Sequence, residues 1–160
     1  MRPRVPPPNP EYLKFLLPFD LRIRELALAT RALVLVEAPD STELIYDAYN
    51  AVATGYSFTG RPSDAFIHIA VYAHWVNLGF NRGSELEDPQ RVLQGSGRWI
   101  RHIRIADLQD LEKPTVRAFV QAAVARAVRP DPQAGKRPTT SRSVVRAIYP
   151  KRRRPLIPPR

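Results

Sequence analysis

Proline is concentrated at the two ends of this chain, and that placement limits where a fold can form. Five of the 17 prolines lie within the first ten residues, and seven lie from Pro130 onward. Proline fixes φ and removes a backbone hydrogen-bond donor, so both ends favour extended segments outside regular structure. We therefore predict a proline-rich N-terminal arm over residues 1–11, a folded domain over 12–128 and a proline-rich disordered tail over 129–160.

The charge of the chain changes at the same boundary. Residues 129–160 have a net charge of +9, from ten Lys or Arg and one acidic residue, while residues 1–128 contribute +1. The net positive charge of the chain therefore lies in the tail and is no evidence that the domain itself binds nucleic acid. The tail could bind nucleic acid or another acidic partner through phosphates or similar anions, or it could be a solubilising extension. The candidate polyanion-binding residues are Lys151, Arg152, Arg153 and Arg154.

Several classes of protein are excluded by what the sequence lacks. It contains no cysteine, which rules out disulfides, thiolate metal sites and a cysteine nucleophile. No run of about 18 apolar residues is present, so we predict no membrane-spanning helix. The N-terminal Val-Pro-Pro-Pro lacks the apolar stretch of a signal peptide, and we expect a cytoplasmic protein. No motif indicates a cofactor.

Hydrophobic spacing predicts an α+β fold. One helix is capped by Asp20, has a single apolar face and ends before Pro39, and a second begins near Pro114. Strands are predicted over residues 51–58, 65–72, 75–81 and 99–105. A short helical turn is predicted at Pro89. Residues 43–49 could continue as helix or enter a strand, and a helical turn is favoured. This order predicts a small antiparallel sheet with helices packed on one face.

Alternation along three of these strands places polar and aromatic side chains on the face opposite the helices. The predicted ligand-binding residues are His68, Tyr72, Trp75, Asn77, His102 and Arg104. A small anion or planar ligand could bind through Arg104, the imidazoles and the aromatic rings, and Gly79 would leave a shallow dip for it. The same pattern is also typical of a solvated sheet face. A homodimer through this face is a further option.

Two loop sequences match binding motifs only in part. Glu85, Glu87 and Asp88 fall short of the six or more oxygen ligands that a hard cation takes, so we predict no metal site. Gly95-Ser96-Gly97 lacks the spacing of a phosphate-binding loop and is typical of a turn that needs positive φ. No serine lies in a nucleophile-elbow pattern, so that type of catalysis is not indicated.

The segment from Trp75 to Ile105 resembles the signature of the YdhG-like family, a domain family of unknown function. The matched positions are Asn77, Leu78, Gly79, Phe80, Gly83, Leu86, Asp88, Pro89, Leu93, Gly95, Gly97, Arg101, His102 and Ile103. The resemblance implies a small α+β fold over about residues 18–128 and covers neither arm. It supplies no catalytic residues, and it implies a link to frataxin-like iron handling, which is attributed to some members.

These observations favour a non-enzymatic module that binds a ligand or partner, with a basic tail that contacts nucleic acid or another polyanion. Two alternatives stay open. The resemblance implies an iron- or metal-handling protein. A small enzyme is the other alternative, because His68 and His102 would suit acid–base work near neutral pH.

Overall fold

The computed structural model describes residues 4–132 and 142–150, which form one sheet and three α-helices. The helices are α1 (Pro10–Leu16), α2 (Leu21–Glu37) and α3 (Pro114–Arg126). The strands are β1 (Thr42–Asp47), β2 (Val52–Ser57), β3 (Ile67–Val71), β4 (Val76–Phe80), β5 (Arg101–Ile105) and β6 (Arg142–Ile148). This architecture confirms the predicted α+β class. None of the described helices is long and apolar enough to cross a lipid bilayer.

The strands lie in the order β5-β4-β3-β2-β1-β6. Strands β1 to β5 follow one another along the chain, and each pairs antiparallel with the next. β6 runs parallel to β1, so the sheet is mixed and not purely antiparallel as predicted. A hairpin cannot join parallel neighbours, and here the chain passes through α3 before β6 begins.

One face of the sheet is covered by the helices. The buried residues of β3 and β4 on this face are Ile67, Ile69, Val71, Val76, Leu78 and Phe80. They belong to one core cluster with apolar residues of α2 and α3, including Leu26, Val34, Val116 and Val120. Burial of each large side chain stabilises the fold by about 1.5–3 kcal/mol. The strand and helix periodicities seen in the sequence therefore meet in a shared core.

β1 lies where the sequence predicted a helical turn at residues 43–49. The strand, which was the alternative left open for these residues, forms instead of the favoured helical turn because Ile45 and Tyr46 favour an extended backbone and because every residue of β1 has a partner in β2. The alternation of β1 also places Ile45 in the core cluster.

The helical turn predicted at Pro89 is absent, and residues 89–90 form only a hydrogen-bonded turn. The Asp88 carboxylate accepts hydrogen bonds from the backbone N–H groups of Val92 and Leu93, at 2.8 and 2.9 Å. Asp88 therefore stabilises a loop and does not cap a helix.

A buried ion pair connects α2 to β1. Arg31 Nε and Glu43 Oε2 are 2.9 Å apart, and the two side chains are 4% and 0% exposed. The Glu43 carboxylate also accepts hydrogen bonds from the Tyr56 hydroxyl at 2.8 Å and from Ser143 Oγ at 3.0 Å. Arg31 Nη1 donates to the carbonyl oxygen of Pro6 at 2.9 Å. Burial, together with the Glu43 charge, raises the pKa of Tyr56 well above its usual value, so its hydroxyl stays protonated and donates.

Parts of both predicted arms therefore belong to the fold. α1 begins at Pro10, and Pro6 is held by Arg31. Residues 142–148, which were predicted within the disordered tail, form β6 because Val145 packs against the core and the segment pairs along β1. The predicted polyanion-binding residues Lys151, Arg152, Arg153 and Arg154 lie outside the described residues.

Candidate functional site

The six ligand-binding candidates lie together on the sheet face opposite the helices, here called the outer face. His68 of β3 and His102 of β5 lie on either side of Gly79 of β4. Asn77 of β4 pairs with Arg104 of β5. The outer face thus consists of His68, Tyr72, Trp75, Asn77, His102 and Arg104, as strand alternation suggested.

The His68 imidazole fills the dip that Gly79 was predicted to leave. His68 Nδ1 and Asn81 Oδ1 are 2.8 Å apart, which fixes the ring next to Gly79. A Cβ at Gly79 would overlap the imidazole. Glycine is therefore required here for the close approach of the protein's own side chain, and the dip is not open to a ligand.

The pKa values of both imidazoles are lowered, mainly by burial, which favours their neutral form near pH 7. Burial lowers the pKa of His68, and the nearby His102 lowers it further, although the hydrogen bond with Asn81 acts in the opposite direction. Burial and the positive charge of Arg104 lower the pKa of His102. A neutral imidazole can both donate and accept a hydrogen bond. Among these six residues, the permanent positive charge therefore comes from Arg104.

An aromatic–arginine stack lies beside the imidazoles. The rings of Tyr72 and Trp75 are stacked with centroids 5.4 Å apart, and the guanidinium carbon of Arg104 lies 4.1 Å from the Trp75 ring centroid. Arg104 is exposed, so its guanidinium remains accessible. Trp75 Nε1 and Asn77 Oδ1 are buried without a hydrogen-bond partner among the described residues. Buried unpaired polar groups are rare, and a ligand reaches this donor and acceptor only when the side chains that cover them move.

Glu85 and Asp88 of the acidic run form hydrogen bonds within the protein. Glu85 accepts hydrogen bonds from Arg82 at 2.7 Å and from Arg126 at 3.1 Å, through different carboxylate oxygens. Asp88 binds backbone N–H groups, as described above. Within residues 4–132 and 142–150, no three His, Asp or Glu side chains are grouped to hold a metal ion.

Trp99 is not among the binding residues predicted from the sequence. Its ring lies under two guanidinium groups, with the carbon of Arg82 at 4.0 Å and that of Arg98 at 4.8 Å from the ring centroid. The adjacent Arg98-Trp99 pair was visible in the sequence, whereas Arg82 follows β4 and reaches Trp99 only in the fold. The glycine loop before Trp99 contains a bend at residues 97–99 and no hydrogen-bonded turn. The predicted positive φ is found at Gly95, at +121°.

Comparisons with protein family models, with curated proteins and with solved structures found no match to this chain. The YdhG-like resemblance therefore stays a prediction, supported by the motif positions between Trp75 and Ile105. A function for this protein has to be argued from the geometry of its own residues.

Gly79→Ala is expected to displace the His68 ring and to lower the free energy of unfolding by about 1–3 kcal/mol. The added methyl group would overlap the imidazole, and movement of the ring breaks its hydrogen bond with Asn81. Urea denaturation of Gly79→Ala, His68→Ala and the double variant measures this coupling. If the added methyl group overlaps the His68 ring, the double variant loses less stability than the sum of the losses in the two single variants. Additive losses would contradict the overlap.

Proposed function

We propose that this protein is a non-enzymatic module that binds single-stranded nucleic acid through its outer face and its basic tail. The observation that carries the proposal is the exposed Arg104 guanidinium, 4.1 Å from the centroid of the Trp75 ring. Unpaired bases stack on aromatic rings and on guanidinium planes. The same guanidinium N–H groups can bind a phosphate.

Hydrogen-bonding groups next to the stack support recognition of a base. Trp75 Nε1 is a donor and Asn77 Oδ1 is an acceptor; neither has a partner among the described residues, and both become available to a base when the side chains that cover them move. Base edges carry both kinds of group and are exposed in a single strand. The neutral His102 ring adds a further donor, acceptor and stacking surface on the same face.

The distribution of charge also favours a polyanion. The only acidic residues in the six described strands are Glu43 and Asp47, and both lie on the core side, in register with Tyr56 and Val52. Residues 91–105 contain four arginines and no acidic residue. A face that lacks carboxylates attracts a phosphate backbone, and the tail adds contacts that depend on salt.

The alternatives have less support from the described residues. Iron handling lacks a cluster of ligands there. Acid–base catalysis by His68 is disfavoured because its Nδ1 is engaged with Asn81 and its ring is packed against Gly79. A homodimer through the outer face would cover the residues that we assign to nucleic acid, and the experiment below detects it.

Arg104→Gln is expected to weaken binding of a labelled oligouridylate of about 20 nucleotides by about tenfold. A stacked base contributes on the order of 1–3 kcal/mol, and a tenfold change corresponds to about 1.4 kcal/mol.

Replacement of Lys151, Arg152, Arg153 and Arg154 by glutamine is expected to reduce the slope of log K against log[salt] by about 3, because each lost single-strand phosphate contact removes about 0.7. Fluorescence anisotropy between about 50 and 200 mM salt measures both effects.

Lys14→Gln is the control for loss of one charge, because exposed Lys14 lies on α1, which packs on the core side of the sheet. It is expected to change affinity much less than Arg104→Gln. Unchanged RNA binding in Arg104→Gln would contradict the role of the outer face, and an unchanged salt slope in the tail variant would contradict that of the tail. A dimer that RNA does not dissociate in sedimentation would assign the outer face to a second copy.

A further inference from the structure

A cavity of about 670 Å³ lies between the end of β4 and the C-terminal end of α3. Its walls come from the loop before β3, the end of β4 with the turn that follows, the residues before β5 and the C-terminal end of α3. Small-molecule sites have volumes of about 300–1,000 Å³. Neither Trp75 nor Arg104 lines the cavity, which is therefore separate from the site of the proposed function.

Aromatic side chains give the cavity a preformed wall. Phe66 is stacked on Phe58 with ring centroids 4.7 Å apart and an interplanar angle of 14°. Phe80 lies 6.0 Å from Phe119, centroid to centroid. Phe66 and Phe80 line the cavity and are buried, while Trp99 is 37% exposed at its margin. Fixed rings of this kind favour a flat apolar ligand body.

Two arginines that line the cavity share a single carboxylate. Arg82 Nη2 is 2.7 Å from Glu85 Oε1, and Arg126 Nη2 is 3.1 Å from Glu85 Oε2. The other acidic lining residue, Asp64, is already paired with Arg61 at 2.9 Å. One guanidinium charge is therefore in excess at Glu85. The Arg82 and Arg126 side chains are 60% and 54% exposed, and exposed ion pairs of this type are weak enough to exchange partners.

We propose that this cavity binds a small molecule with a planar apolar body and a carboxylate group. The body lies against Phe66 and Trp99, the aromatic lining side chains that keep exposed surface. The carboxylate binds Arg82 and Arg126 in place of Glu85, because guanidinium groups match the planar, two-oxygen geometry of a carboxylate. The Glu85 side chain is the internal competitor for the same position.

The two tryptophans of the chain allow a direct test, since Trp99 lines the cavity and Trp75 lies on the outer face. Their indole N–H signals in proton–nitrogen spectra can be assigned with Trp75→Phe and Trp99→Phe. With 2-naphthoate as the probe, the Trp99 signal is expected to shift in a saturable way while the Trp75 signal stays. Neutral 2-naphthamide is expected to bind about tenfold more weakly, because a charge-assisted hydrogen bond is about twice as strong as a neutral one.

Arg126→Gln is expected to weaken 2-naphthoate binding about tenfold. Arg117→Gln is its matched control on α3, because Arg117 pairs with Glu37 and does not line the cavity. Glu85→Gln removes the competing carboxylate and is expected to strengthen binding. Absence of a Trp99 shift, equal affinity for the acid and the amide, or equal effects of Arg126→Gln and Arg117→Gln would each overturn the proposal. RNA binding is expected to be unchanged in Arg126→Gln, so the two proposals can fail separately.

Discussion

Glu43→Gln is expected to lower the free energy of unfolding by about 3–5 kcal/mol, because it leaves the buried Arg31 guanidinium without a counter-charge. Arg31 is only 4% exposed and cannot recover its hydration in the folded state. The Tyr56 and Ser143 hydroxyls would also lose a charged acceptor. Total stabilities of domains are about 5–15 kcal/mol, so the variant should unfold at much lower urea concentration than the unmodified protein.

Glu37→Gln is the matched control, since Glu37 pairs with Arg117 at the protein surface. Exposed pairs contribute about 0–1 kcal/mol, so this change is expected to have a small effect. The double variant Arg31→Met, Glu43→Gln is expected to lose less stability than its two single variants together, because no unpaired charge stays buried. Equal unfolding midpoints for Glu43→Gln and Glu37→Gln would show that the buried pair does not stabilise the fold.

Ending the chain after residue 141 is expected to lower the free energy of unfolding by at least about 2 kcal/mol, whereas ending it after residue 150 changes it little. The shorter chain loses β6 and with it the hydrogen bond from Ser143 to the Glu43 carboxylate. A hydrogen bond to a charged group contributes about 1.5–3 kcal/mol. The Val145 packing against the core is lost as well. Thermal and urea unfolding of the two truncated proteins measure the difference.

Ser143→Ala in the full chain separates the hydrogen bond from the strand. It removes the hydroxyl that donates to Glu43 and leaves the backbone pairing of β6 with β1 in place. Its loss in free energy of unfolding should be smaller than that caused by ending the chain after residue 141.

If the two truncated proteins were equally stable, β6 would not contribute to the stability of the fold. The truncation after residue 150 is also the suitable form for nucleic-acid experiments, since it removes tail charge and keeps the sheet.

Strand alternation predicts which residues lie on the outer face but not which of them are in contact. Successive side chains of a strand point to opposite faces, so His68, Asn77 and His102 could be assigned to one face from the sequence. Strand register decides which residues then touch. Gly79 was expected to be open to a ligand, but pairing with β3 places His68 beside it, and the hydrogen bond to Asn81 holds the imidazole there.

The cavity was not predicted because its residues come from four separated segments. Phe66, Arg82, Trp99 and Arg126 belong to different loops and a helix end, and no spacing rule connects them. In the sequence Glu85 belongs to an acidic run, which made it a candidate cation ligand. In the fold its carboxylate is bonded to two arginines, of which Arg126 is distant in the sequence.

Proline placement and charge distinguish the two ends of the chain from its middle. Hydrophobic periodicity indicated α2, α3 and four strands, because this pattern reflects local backbone geometry. The tertiary structure decided that parts of those ends join the domain. From the sequence, residues 142–148 are part of the tail, and only their pairing with β1 shows that they form a strand of the sheet. Glu43 resembles an ordinary surface carboxylate in the sequence, but Arg31, Tyr56 and Ser143 surround it. A buried charge needs partners, and only the three-dimensional fold brings those partners together.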